Sequence, residues 1–153
     1  MNLHPENINV EGVILKNKPL SNYELSDAAK KLGIKNFRGA VCSDELKQLK
    51  KPRVNECGIL NLDDSTGNGS HWVMWLKKGK DKIYFDSYGL HPPSEVTKYL
   101  NGVYYNTERI QPDGTVFCGH LCLYVLKKLQ ESRENACAND LTASFQELIN
   151  ALY

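Results

Sequence analysis

Four residues in this chain have types and spacing that could do covalent chemistry: Cys118, Gln111 seven positions before it, and upstream His71 and Asp86. The run "RIQPDGTVFCGHLCLYVLKKL" joins a turn to an apolar helix, and Cys118 opens that helix. The first turn of a helix carries unpaired N–H groups and about half a positive charge, which favours a thiolate over a thiol. A thiolate attacks a carbonyl best beside a base, and an imidazole held by a carboxylate supplies a stable ion pair. His71 and Asp86 sit on the two strands expected in "GSHWVMWLKKGKDKIYFDSYG", so a short register offset puts the carboxylate within reach of the ring. Attack on a carbonyl creates an oxyanion that needs donors. The Cys118 N–H is one, and the Gln111 amide, returned by the Pro112-Asp113-Gly114 turn, is expected to be the second.

Each part also has a plainer reading. Cys118 could be a small buried hydrophobe, as Cys122 is expected to be one turn later on the apolar stripe. His71 could be a core histidine, Asp86 a turn former and Gln111 a surface residue. A metal site from Cys118, Cys122, His120 and His71 is a further reading, but positions 118 and 122 share a helix face that 120 does not. A binding module without catalysis could use the same cleft. The order His, acid, Gln, Cys, with the Cys opening a helix, favours nucleophilic catalysis without cofactor or metal. His120 is expected near the cleft rim, and His4 and His91 at the surface. Asp63 and Asp64, in the loop before His71, could line a substrate channel or belong to a solvated loop.

Positioning these groups takes a modest frame. Ser21 or Asn22 can cap a helix over Tyr23 to Leu32, with Leu25, Ala28, Ala29 and Leu32 on one face and Gly33 as its stop. A short helix is expected after Ser43, and Glu56 to Leu62 reads as a buried strand. His71 to Leu76 and Lys82 to Asp86 read as an antiparallel hairpin through Gly79. A helix over Ser94 to Leu100 follows Pro92 and Pro93, "GVYYNTERIQ" gives short strands, and helices are expected from Cys118 to Leu129 and from Leu141 to Leu152. The fold class is α+β, a small mixed or antiparallel sheet flanked by helices. Residues 1–20 read as an N-terminal arm and 21–153 as a single domain.

The composition fits that frame. At 153 residues, 41% hydrophobic and 24% charged, the chain suits one globular domain, and no apolar run approaches the roughly 20 residues of a membrane helix. Five cysteines at irregular spacing argue against a disulfide framework, and the first residues lack a signal peptide's charge and apolar pattern, so an intracellular, reducing location is expected. A net charge of +1 gives no overall attraction to nucleic acid, although Lys47 to Arg53 form a small basic cluster.

The segments "GSHWVMW", "YFDSYG" and "QPDGTVFCGHLC" resemble the adenovirus-type cysteine endopeptidases, the adenain family, whose fold and catalytic order are shared with the Ulp and sentrin-type proteases that process SUMO. "NYELSDAAKKLGIKNFRGAV" and "ECGILNLDDSTGNGSHWV" extend the similarity to about residues 21–129. The resemblance implies a base at His71, a third triad member at Asp86, an oxyanion-hole glutamine at Gln111 and a nucleophile at Cys118. It implies that Trp72 roofs a channel narrow enough to favour glycine, and Gly119 is expected to be a further substrate-binding residue. It further implies polypeptide substrates, namely viral or element-encoded precursors or Gly-Gly tails of ubiquitin-like proteins. A peptide activator and DNA are the other partners it suggests. Adenoviral enzymes commonly carry glutamate where this chain has Asp86, while the SUMO-processing branch carries aspartate. No cysteine lies between Cys57 and Cys118, the stretch where the adenoviral enzyme has the thiol that binds its activating peptide.

Overall fold

The structure, a computed structural model, describes residues 6–63 and 71–131. Strands β1 (Asn7–Val10) and β2 (Val13–Lys16) pair antiparallel around a turn at Glu11 and Gly12, where φ is positive at both positions. Alternation along β1 buries Ile8 and Val10 completely in the main core. The arm expected over residues 1–20 is therefore, over its described part, a hairpin packed into the domain. Helix α1 (Asn22–Lys31) follows. Ser21 and Glu24 close a reciprocal capping box with two bonds of 3.1 Å, worth about 1 kcal/mol, and Leu25, Ala28 and Ala29 form the buried stripe.

Strand β3 (Phe37–Cys42) comes next, then a 3₁₀ turn over Leu46–Leu49 and strands β4 (Asn55–Asn61), β5 (Trp72–Lys78) and β6 (Asp81–Phe85). Helix α2 (Ser94–Leu100), the two-residue strand β7 (Tyr104–Tyr105) and helix α3 (Cys118–Glu131) complete the described elements. The five-stranded sheet runs β3-β4-β5-β6-β7, antiparallel through its centre and parallel at both flanking pairs. This is the expected mixed α+β architecture. The helix expected over residues 141–152 lies outside the described residues. No described helix is long and apolar enough to cross a membrane.

Both faces of the sheet are covered. In β5, Trp72 and Met74 join the cluster formed with α1, α3 and the first hairpin, while Val73 and Trp75 join a second cluster with Val96 and Leu100 of α2. Helix α3 is buried nearly all round, from Gly119 to Leu126 without a break. Gly58 faces Trp75 across the ladder, and a Cβ there would lie 2.2 Å from the indole ring. The Trp75 indole N–H donates to Glu56, which also holds Arg38, Tyr99 and the Arg53 N–H, so one buried carboxylate ties three strands or loops to α2.

The antiparallel pairing of β5 with β6 puts the start of one strand beside the end of the other. His71 immediately precedes β5 and Asp86 immediately follows β6. Sheet topology alone thus brings the two residues to one rim, against the start of α3.

Candidate active site

Asp86 is fully buried and His71 nearly so, and His71 Nε2 lies 2.6 Å from Asp86 Oδ1. With Nε2 engaged by the carboxylate, Nδ1 is the ring nitrogen left for the sulfur of Cys118, the ring's second side-chain partner. Burial opposes charge on the imidazole, but hydrogen bonds and charge from Asp86 and Cys118 outweigh it and raise the His71 pKa to about 9. The site therefore favours the charged form of the ring. Cys118 itself is half-buried and free, at the first position of α3, where helix geometry leaves its N–H without an intrahelical acceptor. The helix begins on the Phe117 carbonyl, which accepts from the Leu121 N–H at 2.8 Å.

Asp86 is held from several sides. Its Oδ1 also accepts from the Tyr88 N–H at 2.8 Å, and Asn106 accepts from its N–H and donates to its carbonyl. The tight turn after it is closed by Gly89 N–H to Asp86 C=O at 2.8 Å, with Gly89 at φ 70°. A side chain at Gly89 would also strike the backbone of Thr107 and Glu108, so only glycine fits that turn. The Tyr88 ring stacks on His71, centroids 4.3 Å apart and planes 11° from parallel, and the Arg109 guanidinium lies over the Tyr88 ring at 4.6 Å. Arg109 is anchored in turn by the Gln111 carbonyl and the Asp113 carboxylate. The imidazole is thus fixed at its edge by Asp86 and on its face by Tyr88.

Gln111 is almost fully buried. Its Nε2 donates to the Thr115 carbonyl at 2.9 Å, its Oε1 accepts from the Ser87 hydroxyl at 2.6 Å, and its N–H donates to the Ser87 carbonyl at 3.0 Å. Gln111 is therefore pinned to the residue next to Asp86 on one side and to the turn leading into Cys118 on the other. The four residues expected to do chemistry are joined by one connected set of contacts, His71 and Cys118 directly and Gln111 through Ser87.

The residues expected to border substrate divide. Trp72 is 8% exposed, with its indole N–H on the Leu20 carbonyl at 2.8 Å. Gly119 is buried in α3, where a Cβ would come within 3.1 Å of Leu25, 3.4 Å of Leu20 and 3.5 Å of Trp72, so its smallness serves helix packing. Asp63 is half-buried at the end of β4, its carbonyl accepting from the Ser43 N–H at 3.1 Å. Asp64 lies outside the described residues, as do His4 and Cys137.

The other groups weighed in a metal reading are engaged elsewhere. Cys122 is fully buried against the Trp72 carbonyl, and burial pushes its thiol well above the usual range. His120, expected near the rim, is instead completely buried, with Nε2 2.8 Å from the Lys16 carbonyl and a pKa lowered by burial. The packed hairpin covers what an arm would have left open. His91 is exposed beside Tyr105, as expected.

Ser87, Tyr88, Asn106, Arg109 and Thr115 are the supporting residues that motif reasoning missed. The "SYG" text directly after Asp86 was the available signal for the first two, because residues that follow a carboxylate in a tight turn lie close around it.

No protein-family profile and no curated protein matches the sequence. Among solved structures the fold is similar to the ASFV pS273R protease. One crystal structure, of the selenomethionine protein, gives a TM-score of 0.57 at 18% identity, covering 78% of this chain and 61% of that one. Another gives 0.54 at 18%, covering 76% and 60%. The chain spans about three fifths of the length of those proteins. At this identity the likeness shows the fold alone, an α+β protein with a mixed sheet.

Proposed function

We propose that the chain is a cysteine endopeptidase with Cys118 as nucleophile. The observation that carries this reading is His71 bridging Asp86 at 2.6 Å and the Cys118 thiol, with a pKa raised to about 9. In the proposed reaction the Cys118 sulfur bonds to the peptide carbonyl carbon and the carbonyl π pair moves to oxygen. The Cys118 N–H and the Gln111 amide stabilise that oxyanion. Its collapse expels the amine, which takes the proton from His71, and leaves a thioester. Water attacks the thioester, giving up one proton to His71, and the acid and the thiolate–imidazolium pair are regenerated.

The substrate we propose is a polypeptide cut after a glycine-containing motif, with viral or element-encoded precursors as the natural class. Support comes from the resemblance of the segments around His71, Asp86 and Cys118, and from Trp72, whose indole is tied to Leu20 beside the helix that carries the nucleophile. A second reading keeps the chemistry and takes Gly-Gly tails of ubiquitin-like proteins, drawing on aspartate rather than glutamate at position 86.

Labelling with a glycine-terminated electrophile, followed by mass mapping, tests nucleophile and substrate class together. Modification confined to Cys118 and lost in His71→Ala is expected. Label on Cys42, or none, would remove the assignment. Turnover of a ubiquitin or SUMO fusion beside a capsid-precursor peptide separates the two substrate classes.

A further inference from the structure

Ser87 is fully buried and makes three contacts that all concern the segment bearing Gln111. Its carbonyl accepts from the N–H groups of Ile110 at 2.8 Å and Gln111 at 3.0 Å, and its hydroxyl donates to Gln111 Oε1 at 2.6 Å. A glutamine amide has two nearly isosteric orientations, and only its neighbours decide which end is nitrogen. Thr115 offers a carbonyl, which can only accept, so it selects Nε2, and the Ser87 hydroxyl then has to donate to Oε1. Reversing the amide would set oxygen against the Thr115 carbonyl.

We propose that Ser87 is a positioning residue for the oxyanion amide: it holds Gln111 so that one N–H goes to Thr115 and the other faces the oxygen that becomes charged at Cys118. Ser87 also sets the spacing between the two halves of the site. It follows Asp86 directly, so the strand end that aligns the imidazole through the carboxylate aligns the oxyanion donor through the next residue. Without the hydroxyl, Oε1 is left buried without its donor, and the Thr115 carbonyl alone holds the amide, so the N–H directed at the reaction loses its fixed placement. The inference rests on the endopeptidase reading above, and its test separates the two.

The test uses two reagents on the full chain. Alkylation by iodoacetamide displaces iodide at carbon and forms no oxyanion, so its rate at Cys118 reports the thiolate–imidazole pair alone. Hydrolysis of a glycine-ending coumarin amide requires the oxyanion donors. In Ser87→Ala the alkylation rate is expected to stay within about twofold of the parent, while kcat falls about tenfold to a hundredfold with KM little changed. Gln111→Ala is expected to lower kcat by roughly 10² to 10³, and adding Ser87→Ala to it should cost less than about twofold more, because the hydroxyl then has nothing to orient. Ser87→Cys keeps a small side chain with a weaker donor, is expected to fall between the parent and Ser87→Ala, and serves where alanine prevents folding.

A kcat within about threefold of the parent in both Ser87 variants would overturn the proposal. So would a loss that persists undiminished in the Gln111→Ala background, or an alkylation rate that falls in step with kcat. A parent chain whose Cys118 is not acylated by the glycine-terminated electrophile removes the endopeptidase reading, and this proposal with it, through a measurement in which Ser87 takes no part.

Discussion

Replacing Asp86 with asparagine tests the electrostatic core of the site. The rise of the His71 pKa from its ordinary 6.5 to about 9 corresponds to about 3.4 kcal/mol in favour of the charged ring, at about 1.36 kcal/mol per pH unit. Burial pulls the other way, and the hydrogen bonds and charges of Asp86 and Cys118 supply the excess. Asp86→Asn removes one of those two charges and the strongest acceptor, at 2.6 Å, so burial should return the ring to 6.5 or below. At pH 7.5 the imidazolium fraction then drops from nearly all to about a tenth, a tenfold loss of the active ion pair. With the tautomer and ring orientation also released, kcat/KM should fall by about 10² to 10⁴. NMR titration of carbon-labelled histidine, with the His71 signal assigned by its loss in His71→Ala, reads the pKa directly. Urea unfolding reads it again: a raised folded pKa gives stability that is fully present below about 6.5 and lost as pH rises through about 9. The parent should therefore lose up to about 3 kcal/mol across that window relative to the variant. A His71 pKa that stays near 9 in Asp86→Asn, or a kcat/KM loss below threefold, would refute the assignment of Asp86 as the group that charges and orients the ring.

Three further outcomes follow from other contacts. Cys118→Ala should abolish turnover and leave urea-unfolding stability within about 1 kcal/mol of the parent, since the thiol is only half-buried; retained turnover would place the nucleophile elsewhere. Glu56→Gln should cost about 3 kcal/mol or more, because the buried carboxylate bonds Arg38 at 3.0 Å, Trp75 at 2.8 Å and Tyr99 at 2.7 Å. Burial pushes the Glu56 pKa up, but those bonds and the Arg53 N–H hold it below the usual 4.5; its contribution is thus present above 4.5 and lost as pH falls through the folded value, so the variant should flatten the acid limb of the stability curve. Gly58→Ala should lower Tm by several degrees, as a Cβ placed 2.2 Å from the Trp75 ring must displace the indole, and an unchanged Tm with unchanged tryptophan fluorescence would contradict that packing.

The elements with strong local signals were legible in the sequence. Helix α1 was legible from Ser21, its apolar stripe and Gly33; β4 from the compact run "ECGILNL"; the β5–β6 hairpin from Gly79; α2 from the two prolines; and α3 from Leu121 to Leu129. Three strands were not. Strand β3 carries Arg38 and Gly39 in its middle, lacks a two-residue alternation, and forms a parallel pair with β4 whose register shifts between Phe37 and Ala40. Its identity comes from the partner strand, which no local window contains. The first hairpin is similar: its strands hold β-formers but are only four residues long, too short a window to read, and they become strands because Ile8 and Val10 find the core beneath them.

The same reasoning explains why the candidate reacting groups could be named from the sequence and their surroundings could not. Chemistry restricts residue type sharply: a thiol at a helix start, an imidazole and an acid at opposite ends of paired strands, and an amide before the nucleophile can be named from type and order alone. Support restricts only shape and hydrogen-bonding sense. Tyr88 is needed for a flat ring 4.3 Å from the imidazole, and Ser87 for a donor on a buried amide oxygen, roles that exist only after folding has brought positions 71, 87 and 111 together. His120 shows the converse. It stands two residues from Cys118 and has the chemistry to look catalytic, yet the hairpin closes over it and the Lys16 carbonyl takes its Nε2. Proximity in sequence put it near the site, and burial removed it from the reaction. A histidine belongs to this site only where a strand end delivers it to the helix mouth, which the β5–β6 register does for His71 and for no other described histidine.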